Sequence, residues 1–115
     1  MITGVHAIIY SKQAQAAREF FHDVLGWDSV DAGHGWLIFA LPPAELAVHP
    51  AGGEDRHELY LMCDDLDATI AELRGKGVEV VEEITQQRWG RTTSIGIPGG
   101  GRIALYEPAH PSPLA

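Results

Sequence analysis

The chain has 115 residues, 45% of them hydrophobic, which suffices for the core of one domain and leaves no room for a second. Sixteen acidic residues against eight basic ones give a formal net charge of -8, which repels the phosphates of nucleic acids and of anionic lipids. No apolar run approaches membrane-spanning length, so we expect neither a nucleic-acid partner nor a membrane.

The first ten residues carry no basic leader and no small-residue cleavage site, so they predict a strand rather than a signal peptide. The single cysteine, Cys63, excludes an internal disulfide. Its apolar neighbours are typical of a small core residue rather than a nucleophile. Together these features favour a reducing cytoplasm.

In the first half, a β-rich run over 5–10 precedes apolar residues at helical spacing from Ala14 to Leu25, which stop at Gly26. Residues 50–56 have the composition of a linker. Between the helix and the linker, three short strands are predicted, over residues 28–32, 36–41 and 46–49.

The second half repeats this order. A strand over 58–63 precedes a helix that Asp65 can cap and that ends at Gly75 or Gly77. Three further strands follow, over residues 78–83, 92–97 and 103–107. The repetition predicts an α+β fold of two tandem βαβββ units in a single domain, with repeat one at about 1–50, repeat two at about 57–108 and a flexible tail at 109–115.

The period of two in the strands separates their residues into two faces. One face is apolar and is expected to pack under the helices, with Ile95, Ile97, Ile103 and Leu105 from the last two strands. The other face is mixed, and its members include His6, Trp36, His49, Glu58, Tyr60, Met62, Ser94, Arg102, Ala104 and Tyr106. Such a face is either exposed to solvent or lines a cleft, and its large rings favour the cleft.

Three features of the chain resemble the vicinal oxygen chelate superfamily of glyoxalases, bleomycin-resistance proteins and extradiol dioxygenases. They are His6 in the first strand, the run Phe20-Phe21-His22-Asp23-Val24-Leu25-Gly26-Trp27 and the helix start Asp64-Asp65-Leu66. The resemblance covers nearly the whole chain. It implies a curved half-barrel sheet with helices on the outer face, an inner face that often holds a divalent metal, and a homodimer.

In members similar to glyoxalase I, the first and last strands of each unit supply one metal ligand each. The matching positions here are His6, Ala47, Glu58 and Ala104, and an alanine methyl group cannot bind a metal. The resemblance therefore makes glyoxalase I activity doubtful. His49 lies two residues past Ala47 on the same face, and with His6 and Glu58 it would form a set suited to Fe, Mn, Zn or Ni.

Two alternatives to this ligand set stay open. A register shift of one residue replaces Glu58 by His57. Glu107 is similar to the family's terminal glutamate, but its parity places it on the helix-packed face. A capping or solvated role is therefore favoured for Glu107, unless a bulge turns it inward.

The loops contribute fewer predictions. Gly99-Gly100-Gly101 is expected to form a hairpin turn, and Trp89-Gly90-Arg91 a loop at the rim of the cleft. Arg91 and Arg102 are either available to an anionic group of a ligand or only solvated. His22, His34 and His110 are interpreted as surface residues.

Two functions compete. In the first, His6, His49 and Glu58 hold a divalent ion that polarises an oxygen of a small substrate, and Tyr60 or Tyr106 orients that substrate. This would be a dioxygenase or an isomerase-type lyase. The two matches at ligand positions, His6 and Glu58, favour it slightly.

The second function is metal-free binding of an aromatic compound, similar to the bleomycin-resistance members. Here Trp36, Tyr60 and Tyr106 stack on the compound, and Ala47 and Ala104 leave it room. In both cases the predicted ligand-binding residues are Trp36, Met62, Ser94 and Arg102.

Overall fold

The computed structural model describes residues 6–50, 52–54 and 56–114. Helix α1 (Ala14–Glu19) continues as a wider π-helical turn (Phe20–Val24). The remaining elements, in chain order, are β1 (Ser29–Asp31), β2 (Leu37–Phe39), β3 (Tyr60–Met62), α2 (Leu66–Gly75), β4 (Thr85–Gln87), β5 (Gly90–Gly96) and β6 (Arg102–Pro108).

The strands form two sheets. β1 and β2 make an antiparallel hairpin, and the other strands form a mixed sheet in the order β3-β6-β5-β4. β3 runs parallel to β6, so the chain must cross over between them, and α2 lies in that crossing. The combination of helices with antiparallel and mixed sheets confirms the predicted α+β class.

Helix α2 begins and ends as its sequence predicts. The Asp65 carboxylate accepts a hydrogen bond from the Ala68 amide at 3.0 Å and caps the first turn. At the other end Gly77 has a φ of +82°, and the amides of Gly77 and Val78 donate to the carbonyls of Arg74 and Leu73. This left-handed glycine closes the helix and turns the chain back toward the sheet.

The core lies between α2, the π-helical turn and the helix side of the mixed sheet. Its buried members are Phe20, Phe21, Leu66, Ile70, Leu73, Val78, Ile95, Ile97, Ile103 and Leu105. Phe21 stacks on Trp27, with ring centroids 5.3 Å apart and planes 11° apart, and its ring lies 5.9 Å from that of Phe39. The aromatic residues of the first half therefore share one core with the second half.

The predicted face division is confirmed in β5 and β6. Ile95, Ile103 and Leu105 are buried on the helix side, whereas Tyr106 and Thr92, which are paired across the two strands, lie on the opposite face. The predicted glycine turn also forms, since the Ile97 amide donates to the Gly101 carbonyl at 2.9 Å.

Two strands predicted in the first half are not formed. Residues 6–10 and 40–50 have no regular secondary structure, and Val5 lies outside the described residues. Leu46 and Val48 are 91% and 87% exposed, so this alternating pattern has no partner surface. An alternating pattern predicts an extended chain, but a strand also needs a neighbour to accept and donate its hydrogen bonds.

The strand predicted over 78–83 is reduced to an isolated bridge between Val80 and Ile95. The neighbouring strand β4 starts later, and its residues Thr85, Gln86 and Gln87 pair with the first residues of β5. Gly90 begins β5 directly after a tight turn, and β4 and β5 therefore form a hairpin there. The predicted start of this strand, at Thr92, was too late in the sequence.

Candidate ligand-binding site

Four rings meet on the face of the mixed sheet that points away from the helices. The ring of Tyr106 lies at their centre, with centroid distances of 5.9 Å to Tyr60, 5.3 Å to Trp89 and 5.7 Å to His110. Tyr60 and Trp89 meet Tyr106 edge to face, a favourable geometry for aromatic pairs. We call Tyr60, Trp89 and Tyr106 the aromatic cluster; His110 lies beside it.

The strand register places the two tyrosines together. In the parallel pair of β3 and β6, Tyr60 is opposite Ala104 and Met62 is opposite Tyr106. Tyr60 and Tyr106 are thus diagonal neighbours on one face, with the small side chain of Ala104 beside them. Sequence analysis predicted both tyrosines for this face, and the structure brings them into contact.

Trp89 reaches the cluster from the turn between β4 and β5, and Gly90 makes the approach possible. Gly90 has a φ of +155°, and a Cβ atom there would lie 2.7 Å from Cε2 of Tyr106 and would also meet the carbonyl oxygen of Glu107. The Tyr106 hydroxyl, in turn, donates a weak hydrogen bond of 3.4 Å to the Trp89 carbonyl. Trp89 therefore lies at the rim, as predicted, whereas Gly90 and Arg91 belong to β5.

Both tyrosines keep their hydroxyl protons at neutral pH. Burial raises the pKa of Tyr60, and the Glu58 carboxylate, which accepts its hydroxyl at 3.1 Å, raises that pKa further. Burial also raises the pKa of Tyr106, with a smaller contribution from the charge of Glu45. The site thus presents neutral phenols beside carboxylates, which suits hydrogen bonding and stacking rather than attack by a phenolate.

The predicted metal ligands are not brought together. His6 and His49 are exposed in segments without regular structure, and Glu58 is exposed and lies 3.8 Å from Nε of Arg56. Across residues 6–50, 52–54 and 56–114, no three side chains of His, Cys, Asp or Glu form a group that could hold a metal ion. With alanine at the other two family positions, this donor set does not fit a metal, and we derive no reaction step through one.

The other predicted ligand-binding residues have different surroundings. Met62 lies beside Tyr106 on the open face and is exposed. Ser94 is on the same face but buried. Arg102 forms an ion pair with Glu82 at 2.6 Å. Trp36 is 67% exposed and lies under the guanidinium of Arg18 in α1, at 5.6 Å, away from the tyrosines.

Arg91 and Glu107 have structural contacts. The Glu107 carboxylate accepts a hydrogen bond from the Leu66 amide at 2.8 Å, so it caps α2 and the predicted capping role is confirmed. Arg91 bridges this carboxylate, at 3.5 Å, to Asp67, at 3.0 and 3.2 Å. The Asp67 hydrogen bond raises the pKa of Arg91, while Arg91 lowers the pKa of Asp67. Both guanidinium groups thus have carboxylate partners in this structure.

A wide groove of about 700 Å³ lies beside the end of β5 and the turn into β6. It is lined by the turns around Gly77 and Gly100 and by Lys76 and Arg102. Lys76 contacts Glu72 at 3.6 Å and the Val24 carbonyl at 3.2 Å, so its charge is already engaged. This groove offers no stacking surface comparable to the aromatic cluster.

Sequence analysis missed two residues near the cluster, His110 and Glu45. His110 was interpreted as a surface residue of the tail, and Glu45 received no role. Their contacts join positions 65 residues apart, which no local pattern reveals. For Trp89 the sequence did contain a signal, namely the glycine that follows it. A glycine in a strand often marks a place where another part of the chain approaches closely.

The described architecture is that of a small α+β protein whose open sheet face carries a group of rings in edge-to-face and tilted contact. Residues 4–110 match the glyoxalase/bleomycin resistance protein/dioxygenase superfamily. The chain belongs to this superfamily, as the resemblance in its sequence predicted.

Individual relatives agree with this assignment. The chain is 27% identical over 112 residues to the uncharacterized protein YetH of Bacillus subtilis, a match spanning 86% of this chain and 92% of YetH. It is similar to TnmS3, an antibiotic binding protein from Streptomyces sp. CB03234, with 26% identity, a TM-score of 0.69 and coverage of 94% of this chain and 98% of TnmS3.

A lactoylglutathione lyase from Agrobacterium tumefaciens has a TM-score of 0.65 at 16% identity, with 90% of this chain and 92% of the lyase covered. At that identity the likeness shows a shared fold alone. Within the described part of the chain, no helix is long and apolar enough to cross a membrane.

Proposed function

We propose that this protein binds a planar aromatic small molecule on the aromatic cluster and does so without a resident metal. The observation that carries the proposal is the contact of Tyr60, Trp89 and Tyr106 on the open sheet face. Tyr60 and Trp89 remain 37% and 39% exposed, so their rings still have surface to offer a ligand. The similarity to the antibiotic binding protein TnmS3 supports the same class of function.

The chemistry of the cluster suits an aromatic ligand. Ring pairs contribute about 0.5–1.5 kcal/mol beyond the area that they bury. Ala104 lies directly opposite Tyr60, and its small methyl group leaves space on the sheet. The hydroxyl oxygens of Tyr60 and Tyr106, whose protons are donated within the protein, can accept a hydrogen bond from the ligand. The flexible, polarisable side chain of Met62 can adapt to the edge of the ligand.

Replacing Tyr106 by leucine is expected to weaken ligand binding about tenfold, because an aromatic surface and a hydroxyl oxygen that can accept a hydrogen bond are lost. The probes are proflavine and anthraquinone-2-sulfonate, planar compounds of opposite charge, titrated into the protein by calorimetry and by quenching of tryptophan fluorescence. Trp36→Leu is the matched control, since it removes an exposed ring outside the cluster and is expected to leave the affinity unchanged. A larger loss in Trp36→Leu than in Tyr106→Leu would contradict the proposal.

The same preparation separates this function from a metal-dependent one. We expect probe affinity to survive chelation, and elemental analysis after reloading with iron, manganese, zinc or nickel to show no near-stoichiometric ion. Near-stoichiometric metal that both His6→Ala and Glu58→Ala abolish would instead support the dioxygenase or isomerase-type lyase with His6, His49 and Glu58 as ligands.

We further propose that a second copy of the chain covers exposed apolar residues of the first half. Ile8, Leu41, Leu46 and Val48 are exposed together with Trp36, and β3 lies at an edge of the mixed sheet. Large exposed apolar patches and open strand edges are typical of association surfaces. Sedimentation equilibrium is expected to give twice the monomer mass, and Val48→Glu to shift the protein toward the monomer; a monomer at all concentrations would contradict the dimer.

A further inference from the structure

The residues after β6 fold back across the aromatic cluster. The Ala109 amide donates a hydrogen bond of 2.8 Å to the Trp89 carbonyl, which extends the pairing of β6 with β5 by one residue. The imidazole of His110 then lies 5.7 Å from the Tyr106 ring, with the two planes 39° apart. We call Ala109–Leu114 the strap, since it has no regular secondary structure and its position depends on these contacts.

A carboxylate from the other half of the chain fastens the strap. Ser112 Oγ donates to Glu45 Oε2 at 2.7 Å, and His110 Nε2 lies 3.5 Å from Glu45 Oε1. The side chain of Glu45 is only 16% exposed, whereas residues 41–44 and 46–50 on either side of it are all exposed. Glu45 is thus partly buried at the point where it contacts His110 and Ser112 of the strap.

The other hydrogen bonds of the strap are internal. His110 Nδ1 donates to the Pro111 carbonyl at 2.7 Å, and the Leu114 amide donates to Ser112 Oγ at 3.0 Å. Apart from the bond of Ala109, the polar contacts that join the strap to the other described residues are thus those with the carboxylate of Glu45. Such a small number of polar contacts at the surface is typical of a segment that opens locally.

We propose that the strap is an autoinhibitory cover, in which the tilted ring of His110 lies against the Tyr106 ring and Glu45 is the latch that a ligand must release. The inference rests on the proposed function, because it concerns access to the same rings. An imidazole beside a phenol ring fills the space that a flat ligand would take. Binding of a ligand there requires the Glu45 contacts to break. The free energy of breaking them reduces the net free energy of binding, so the apparent affinity is weaker.

The latch is tested by Glu45→Ala and Ser112→Ala in the full-length protein, with proflavine and anthraquinone-2-sulfonate as probes. Glu45→Ala is expected to tighten binding about three- to tenfold, and Ser112→Ala about two- to fivefold, in keeping with the loss of one or two hydrogen bonds. Glu83→Ala is the control, since it removes the same charge from an exposed residue on the α2 side. Thermal unfolding of each variant verifies that it is folded.

Hydrogen exchange provides a readout that does not depend on affinity. In the wild type, saturating probe is expected to speed deuterium uptake in the peptide covering 109–114, and Glu45→Ala to speed it without probe. If the wild type binds a probe while Glu45→Ala binds it equally or more weakly, the latch is wrong. If neither protein binds a probe, the proposed function is overturned, and the autoinhibitory role with it.

Discussion

Gly90→Ala is expected to lower the free energy of unfolding by about 2–4 kcal/mol, since it combines backbone strain with overpacking. At a φ of +155° an L-residue is strained, and the added Cβ would meet the Glu107 carbonyl and lie 2.7 Å from Tyr106 Cε2. Both neighbours belong to β6, so relief requires β5 and β6 to move apart. The contact of Trp89 with Tyr106 should be lost at the same time.

Gly100→Ala is the matched control for this prediction. Gly100 lies in the turn between β5 and β6 at a φ of +84°, and a Cβ there would meet nothing within 4 Å. The control should therefore carry the backbone term alone, about 1 kcal/mol. Urea unfolding followed by circular dichroism measures both variants. Equal losses in the two would show that close packing of Gly90 against Tyr106 does not contribute.

Local signals predicted α2, β5 and β6 well, although the strand predicted over 78–83 is only an isolated bridge. The Asp65 cap, the apolar stripe of α2 and the stop at Gly77 all depend on interactions within one or two helical turns, so the sequence contains them explicitly. The alternation in β5 and β6 is equally local, and it placed both Leu105 and Tyr106 on the correct faces. Parity also placed Glu107 on the helix side, where a capping or solvated role was open, and the structure shows the capping contact.

The first half shows the limit of such patterns. The alternation over 46–49 was as regular as that over 103–107, yet only the latter lies between two neighbouring strands. A pattern specifies which residues would share a face, but pairing is decided by distant parts of the chain or by another chain. The proposed dimer would supply such a partner for Leu46 and Val48.

The candidate site was predicted in part for the same reason. Tyr60 and Tyr106 were assigned to one face by parity, and the strand register confirms their contact. Trp36 satisfied the same parity, but the hairpin of β1 and β2 is separate from the mixed sheet, so a shared parity did not mean a shared surface. His110 reaches Tyr106 only because the chain folds back after β6, which its composition did not indicate.

Glu107→Ala is expected to lower the free energy of unfolding by about 1–3 kcal/mol, because the Leu66 amide at the buried start of α2 loses its acceptor. Glu107→Gln keeps an oxygen that can accept from this amide, so it should cost less and isolate the role of the charge. Asp67→Ala removes the other partner of Arg91 but is exposed, and little change is expected.

This ordering distinguishes capping from ion pairing. If the hydrogen bond to Leu66 dominates, urea unfolding should rank the losses as Glu107→Ala first, Glu107→Gln second and Asp67→Ala last. If the bridge through Arg91 dominates, Glu107→Gln and Asp67→Ala should both approach Glu107→Ala, and added salt should weaken the wild type toward them. A capping bond that depends on geometry should instead persist in high salt.

The pH gives a second test of the ion pair. Because Arg91 holds the pKa of Asp67 below its usual value, the part of the stability due to Asp67 should be present at neutral pH and be lost as the pH falls through that lowered pKa. The first ranking would identify Glu107 as the residue that joins the carboxyl end of β6 to the start of α2, on the sheet face opposite the ligand site.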